Sequence, residues 1–285
     1  MLERNFGRTD VKVPIIGQGT WMIEANSRMQ RQQAVVALRL GLDLGMKHID
    51  TAEMYGNGIV EQEIVSEAIA GRRDEVFLVS KVLPSNASYE GTIRACEQSL
   101  KRLKTDWLDL YLLHWPGSYP IEQTMRAMEK LVSDGKIRFI GVSNFNLEEL
   151  KSAEEALSVQ RIACNQVLYH LGDRAIELRL LPYCVARGIA VVGYSPFGHG
   201  NFPSPRSSEG KVLADIAKRH GRTARQVALN FLTRHPNTFT IPKARCIEHV
   251  KENSGSADWT LTDKDSEAIE IAFPLPEDDT QLSMI

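Results

Sequence analysis

No apolar run in the 285-residue chain approaches the roughly 20 residues that a membrane-crossing helix needs, so a membrane protein is not expected. Residues 1–5 lack the apolar stretch of a secretory signal, and the expected location is the cytoplasm. Charge of one sign is also lacking. The 34 basic side chains nearly balance 36 acidic ones, and the net charge of −2 provides no general field for nucleic acid or anionic lipid. Basic stretches at 211–225 and 243–245 are local features only. Cysteine is scarce. Cys96, Cys164, Cys184 and Cys246 lie far apart and make no CxxC or Cys/His pair, so neither a disulfide framework nor a metal site is expected.

Common cofactor and nucleophile signatures are missing too. Gly17-Gln18-Gly19 lacks the third glycine of the dinucleotide fingerprint, and GxxxxGK(S/T) does not occur. Gly193-Tyr194-Ser195-Pro196-Phe197 fails the nucleophile elbow at its fifth residue. With 43% apolar and 25% charged residues, the chain still has the profile of a water-soluble globular protein.

What is present is alternation. Short apolar runs at 15–17, 48–49, 76–80, 108–113, 139–142, 163–164, 190–193 and 238–241 read as strands. Amphipathic segments at 31–44, 61–70, 89–103, 121–133, 147–157, 176–186, 208–220 and 247–253 read as helices, with further helices at 224–234 and 262–271. Asn146 with Glu149, and Thr223 with Gln226, have capping-box spacing. Residues 4–6 and 11–13 flank Gly7-Arg8-Thr9-Asp10 as a β-hairpin. Strands apolar on both faces suit a parallel sheet covered by helices. No linker or step in composition appears, so one domain over 1–285 is expected, ending in a tail of about a dozen residues.

Eight strand–helix units fit a closed barrel or an open doubly wound sheet. The polar residues decide between them. Asp50, Lys81, His114, Asn144, Gln166, Ser195 and Lys243 each sit at or just past a strand end. In a barrel all such ends converge on one mouth, whereas an open sheet gathers its polar groups near one switch point. The expected fold is therefore an α/β, (β/α)8 TIM barrel with an N-terminal β-hairpin plug and extra helices near the C-terminus.

Charged residues ending buried strands are costly unless paired. Asp50 can pair with Lys81, and Tyr55 follows Asp50 by a short loop. A free phenol ionises near pH 10, and a neighbouring ammonium favours the phenolate. Tyr55, made more acidic by Lys81, with His114 orienting a substrate oxygen, suits a reaction that builds negative charge on oxygen and then protonates it. Carbonyl reduction is such a reaction. No side chain supplies hydride, which implies a nicotinamide cofactor. Ser143, Asn144 and Gln166 offer groups suited to a carboxamide, and Tyr194 offers an aromatic face. Residues 241–245, leading into a helix with Lys243 and Arg245, read as a phosphate site.

Several segments together resemble the aldo-keto reductase superfamily over essentially the full length. They are Gly45 to Gly56 (GMKHIDTAEMYG), Leu108 to Pro116 (LDLYLLHWP), Ile140 to Phe145 (IGVSNF), Asn165-Gln166-Val167 and Ile241-Pro242-Lys243. The resemblance implies Tyr55 as general acid in a tetrad with Asp50, Lys81 and His114. It implies Ser143, Asn144 and Gln166 around the nicotinamide carboxamide, Tyr194 stacked on the ring, and Ser195 near the pyrophosphate. It places Lys243 at the 2′-phosphate of NADPH or NADP+, and Glu252 and Asn253 at the adenine.

Two positions depart from the family pattern, Ala244 where many members carry Ser and His249 where they carry Arg. His does not replace a bidentate Arg contact, while Arg245 stands close enough to compensate. The departures predict a relaxed preference, with NADH accepted as a weaker or dual cofactor. Trp21, Met22, Met54 and Trp115 adjoin strand ends and are expected to line an apolar pocket for a small carbonyl substrate. The segment 115–120 and the C-terminal tail are short, which predicts an open pocket. The expected state is a monomer or weak oligomer without nucleic acid. The rival readings are a slow, redox-sensing NADPH-binding regulatory subunit and a narrow-substrate sugar or keto-acid reductase.

Overall fold

The computed structural model describes residues 1–23, 26–278 and 282–285. A short antiparallel hairpin, β1 (Glu3–Asn5) and β2 (Lys12–Pro14), precedes the sheet. Eight parallel strands follow in chain order: β3 (Gln18–Gly19), β4 (His48–Asp50), β5 (Phe77–Val82), β6 (Leu108–Leu113), β7 (Ile137–Ser143), β8 (Ile162–Leu168), β9 (Ala190–Tyr194) and β10 (Thr238–Thr240). The ring closes where Ile16 bridges Thr240. There the Thr240 N–H donates to Ile15 O at 2.9 Å and the Gly17 N–H to Thr240 O at 2.8 Å. The architecture is a (β/α)8 barrel.

The helices are α1 (Arg28–Asp43), α2 (Ser66–Ala68), α3 (Tyr89–Leu103), α4 (Ile121–Ser133), α5 (Leu147–Glu155), α6 (Leu180–Arg187), α7 (Ser208–His220), α8 (Ala224–Leu232), α9 (Ile247–Ser254) and α10 (Asp263–Ala272). Both expected capping boxes form, Asn146 with Glu149 on α5 and Thr223 with Gln226 on α8. Each satisfies otherwise orphaned backbone donors. Among the described residues no helix is long and apolar enough to cross a membrane.

Alternation along the strands sorts the core into two layers. Phe77, Val79, Leu110, Leu112, Cys164, Ala190, Val192 and Phe239 belong to an inner cluster. Leu78, Val82, Tyr111, Leu113, Val167 and Val191 pack with the helices in an outer one. The hairpin plugs the floor with Phe6, whose ring lies 4.8 Å from Phe77 and 5.0 Å from Phe239.

Three elements differ from the sequence expectation. The first barrel strand is Gln18–Gly19 rather than 15–17, because the ladder with β4 begins at Gln18 opposite Ile49. The apolar pair Ile15-Ile16 belongs to the closing seam and the buried floor. The helix expected over 61–70 is a π-helical segment, Val60–Val65, running into the single turn of α2. The helix expected over 176–186 is broken into a 3-10 turn, Ala175–Glu177, and α6. Pro182 explains the break. In a continuous helix its ring would meet the carbonyl of Leu178, whereas it is tolerated in the first turn of α6.

Candidate active site

The inner phase of the alternation continues to the mouth of the barrel. On β4 it carries His48 and then Asp50. On β5 it runs through Phe77 and Val79 to Lys81, and on β6 through Leu110 and Leu112 to His114 just beyond. On β8 it passes Cys164 to reach Gln166, and on β9 it ends at Tyr194. An inward-pointing residue at a strand's C-terminal end has no direction to face except the cavity above the core.

Lys81 is the centre of the arrangement. It is fully buried, and its ammonium donates to Asp50 Oδ1 at 2.6 Å, to Thr51 O at 2.8 Å and to Tyr55 Oη at 3.2 Å. An ammonium has three N–H donors, and here each has an acceptor. Burial disfavours the ammonium, but Asp50 and Tyr55 more than compensate, and its pKa stands above the ordinary value. Ser80, the outward neighbour of Lys81, donates to the buried Glu61 at 2.6 Å, and Arg102 Nε donates to Glu61 at 2.6 Å. That pair anchors β5 to the helix layer.

Tyr55 opens a tight turn, Tyr55–Gly58, in which Gly56, Asn57 and Gly58 all have left-handed backbone, at φ 59°, 53° and 88°. The turn delivers the phenol onto Lys81. Burial pushes the phenol's pKa up, and Lys81 draws it down by less, so the net shift is upward. The expectation that Lys81 makes Tyr55 more acidic than a free phenol is corrected, because burial outweighs the ammonium. Lys81 offsets part of a desolvation penalty. Because Lys81 is the donor in their hydrogen bond, the Tyr55 proton is left for another acceptor.

His114 meets Tyr55 edge-on, with ring centroids 5.8 Å apart. Burial, then the charge of Lys81, lowers its pKa to about 2, so it is neutral at physiological pH. Its Nδ1 is buried and has no hydrogen-bond partner among the described residues. An orphaned buried N–H is costly, which favours the proton on Nε2 and makes His114 a hydrogen-bond donor from that atom.

A cavity of about 570 Å³ lies over these groups, a size ordinary for a small-molecule site. Asp50, Tyr55 and His114 line it, as do Ser143, Asn144, Gln166, Tyr194, Ser195 and Lys243, and the expected apolar residues Trp21, Met22, Met54 and Trp115. Lys81 lies beneath it. Gln166 Nε2 donates to Asp50 Oδ2 at 2.7 Å. Asn144 Nδ2 donates to His114 O at 3.0 Å, and Tyr194 Oη donates to Asn144 Oδ1 at 2.8 Å. An amide, hydroxyls, an aromatic face and an exposed ammonium suit a ligand that is amide-bearing, aromatic and anionic, as a nicotinamide dinucleotide is. Lys243 is exposed, and its Nζ also donates to Met22 O at 3.2 Å.

Ala244, Arg245, His249, Glu252 and Asn253 do not line the cavity. They lie on the segment that continues from Lys243 through α9, where Arg245 and His249 are exposed and Asn253 is buried. Glu252 accepts a bond from Thr223 Oγ1 at 2.7 Å.

Sequence reasoning missed part of the lining. His199 stacks on Trp21 at 5.1 Å, and Met284 and Ile285 at the chain end also line the cavity. The end of the tail thus contributes to the wall of the cavity. Gly198 and Gly200 around His199 were the one available signal, marking a turn just past a strand end. The tail carries no periodicity to read.

Known proteins resemble this chain in sequence and in fold. Residues 15–273 match the model of the aldo/keto reductase family. Methylglyoxal reductase YeaE of Escherichia coli is 44% identical over 276 residues, covering 97% of this chain and 96% of that protein. Glyoxal reductase of Bacillus subtilis is 34% identical over 266 residues, covering 91% and 89%. A Klebsiella pneumoniae aldo-keto reductase crystallised with NADPH superposes with a TM-score of 0.92 at 42% identity, covering all of both chains.

Proposed function

Since the chain belongs to the aldo/keto reductase family, we propose that it is an NADPH-dependent reductase of aldehydes and some ketones, reversible in the alcohol direction. The observation that carries the reading is the buried triad in which Lys81 holds Asp50 at 2.6 Å and Tyr55 at 3.2 Å beneath a cavity of small-molecule size.

When bound, the reduced nicotinamide supplies the hydride that no side chain can supply. Tyr55 gives its proton to the carbonyl oxygen as negative charge develops there. Lys81 stabilises the phenolate left behind, and Asp50 keeps the ammonium in place. His114 donates a hydrogen bond from Nε2 to the same oxygen and orients the carbonyl. It is a poor proton source because burial lowers its pKa to about 2, so at neutral pH the ring does not carry the second proton it would have to give. Ser143, Asn144 and Gln166 would hold the carboxamide, Tyr194 would offer its face to the ring, and Ser195 would contact the pyrophosphate. Lys243 and Arg245 would take the 2′-phosphate, with Ala244 and His249 leaving that subsite less complete, so NADH would be the weaker alternative. Glu252 and Asn253 would border the adenine. Two relatives named for glyoxal and methylglyoxal reduction support a small aldehyde as substrate.

The test is Tyr55→Phe. It is expected to fold, to bind NADPH with quenching of tryptophan fluorescence, and to lose multiple-turnover reduction of methylglyoxal and 4-nitrobenzaldehyde. Undiminished turnover sinks the assignment. A wild-type protein that binds NADPH but completes only one turnover favours the regulatory-subunit reading instead.

A further inference from the structure

Gln166 and Asp50 are 116 residues apart in sequence, on β8 and β4, yet both are buried and joined by a 2.7 Å hydrogen bond from Nε2 to Oδ2. The other carboxylate oxygen, Oδ1, takes the Lys81 ammonium at 2.6 Å. Lys81 in turn donates to Tyr55 at 3.2 Å. A continuous line of bonds thus runs from Gln166 through Asp50 and Lys81 to the phenol. Holding a carboxamide would not require the bond to Asp50.

The bond has two consequences for the line. It fixes the plane of the Asp50 carboxylate, and so the direction in which Lys81 is held. It also draws charge toward Oδ2. A carboxylate shared between two donors is a weaker acceptor for each, and in a buried site such effects pass along a chain of bonds with little screening. With less of the ammonium engaged by Asp50, more of it is directed at Tyr55.

We propose that Gln166 is a positioning residue for the proton donor: by occupying Asp50 Oδ2 it aims Lys81 at the Tyr55 hydroxyl, in addition to any contact it makes with cofactor. The proposal rests on the reading of Tyr55 as the acid. Loss of the Gln166 amide leaves Oδ2 without its donor, tightens the grip of Asp50 on Lys81 and makes the phenol a weaker acid.

The test follows Tyr55 directly in the cofactor-free protein. Tyrosine labelled with 13C at Cζ gives a resonance for Tyr55 that is identified by its loss in Tyr55→Phe. Gln166→Met is expected to raise the titration midpoint of that resonance by roughly half a unit to one unit. The pH profile of kcat/KM for aldehyde reduction is expected to move with it, about three- to tenfold at the shoulder. Gln166→Asn, whose shorter amide falls short of Asp50, is expected to act in the same direction and serves where the methionine variant does not fold. A raised KM for NADPH with an unmoved midpoint and profile overturns the proposal and leaves Gln166 as a binding residue alone. Full turnover by Tyr55→Phe overturns the functional reading instead, while the cofactor-free midpoints still report whether Gln166 acts on Tyr55.

Discussion

Lys81 donates to the oxygen of Tyr55 across 3.2 Å rather than receiving that hydroxyl's proton. The direction follows from the charge of the buried amine, and it leaves the phenol's single proton available to a substrate. Lys81→Met is expected to lower kcat by about 10²–10⁴-fold, the usual scale for disabling a proton donor. It also strands Asp50 as a buried carboxylate without its cation, at a cost of about 3–5 kcal/mol. Steady-state kinetics alongside urea unfolding separates the two losses. Unchanged kcat in a destabilised protein removes Lys81 from the chemistry.

Acid is expected to destabilise the fold through His48. This residue is buried between Phe6 and Phe77, and both of its ring nitrogens lack hydrogen-bond partners among the described residues. Burial lowers its pKa from 6.5 to about 4, so the unfolded chain binds a proton before the folded one does. Stability is therefore complete above pH 6.5 and falls as the pH drops toward 4, by about 3 kcal/mol in all. His114, lowered to about 2, continues the loss in the same direction. His48→Leu should flatten the slope of unfolding free energy between pH 6.5 and 4 by up to one proton. A slope identical to that of wild type counts against His48.

The turn that carries Tyr55 depends on Gly58. Its φ of 88° belongs to glycine, and an added Cβ would come within 2.7 Å of Arg102 Cδ and 2.9 Å of Arg102 Nε. Arg102 is itself committed to Glu61 at 2.6 Å. Gly58→Ala is expected to cost about 1–3 kcal/mol in backbone strain and to reduce kcat through displacement of Tyr55. Thermal unfolding and turnover together check this. A neutral substitution would show that the turn tolerates movement.

At the cavity wall, Lys243→Met is expected to weaken NADPH binding by about tenfold, or ~1.4 kcal/mol, and to leave NADH nearly unaffected. Fluorescence titration with each cofactor measures both. Equal losses would mean that Lys243 does not read the extra phosphate. Raising the salt concentration should narrow the difference between the cofactors, because an exposed ammonium is readily screened.

Much of this site was legible because alternation makes an inward-facing charge conspicuous. Lys81 stands in phase with Phe77 and Val79, and Asp50 with His48, so the sequence alone places both in the interior. A pair there is the physically economical answer. The bond from Gln166 to Asp50 was not legible, because it depends on the registers of strands that are not neighbours. The strand expected at 15–17 was displaced for a related reason. Residues 15–17 pair with Thr240 only at the closing bridge, and hydrophobicity does not distinguish a single bridge from a longer ladder. His199, Met284 and Ile285 reach the cavity from loop and tail, where no repeating pattern announces direction. Lys81's effect on Tyr55 was read with the right sign, but burial, which depends on the finished packing, proved the larger influence.

The barrel's seam at Ile16 and Thr240 has a bearing on assembly. Asp50, Tyr55, Lys81 and His114 all come from the earlier part of the chain, whereas Gln166, Tyr194, Ser195 and Lys243 come from the later part. The cavity is therefore shared between the two halves of the chain. Asp50 takes its second side-chain donor from β8, and Tyr194, Ser195 and Lys243 add the later part of the wall. A fragment ending before β8 would have Asp50 without a donor at Oδ2 and a mouth open on one side.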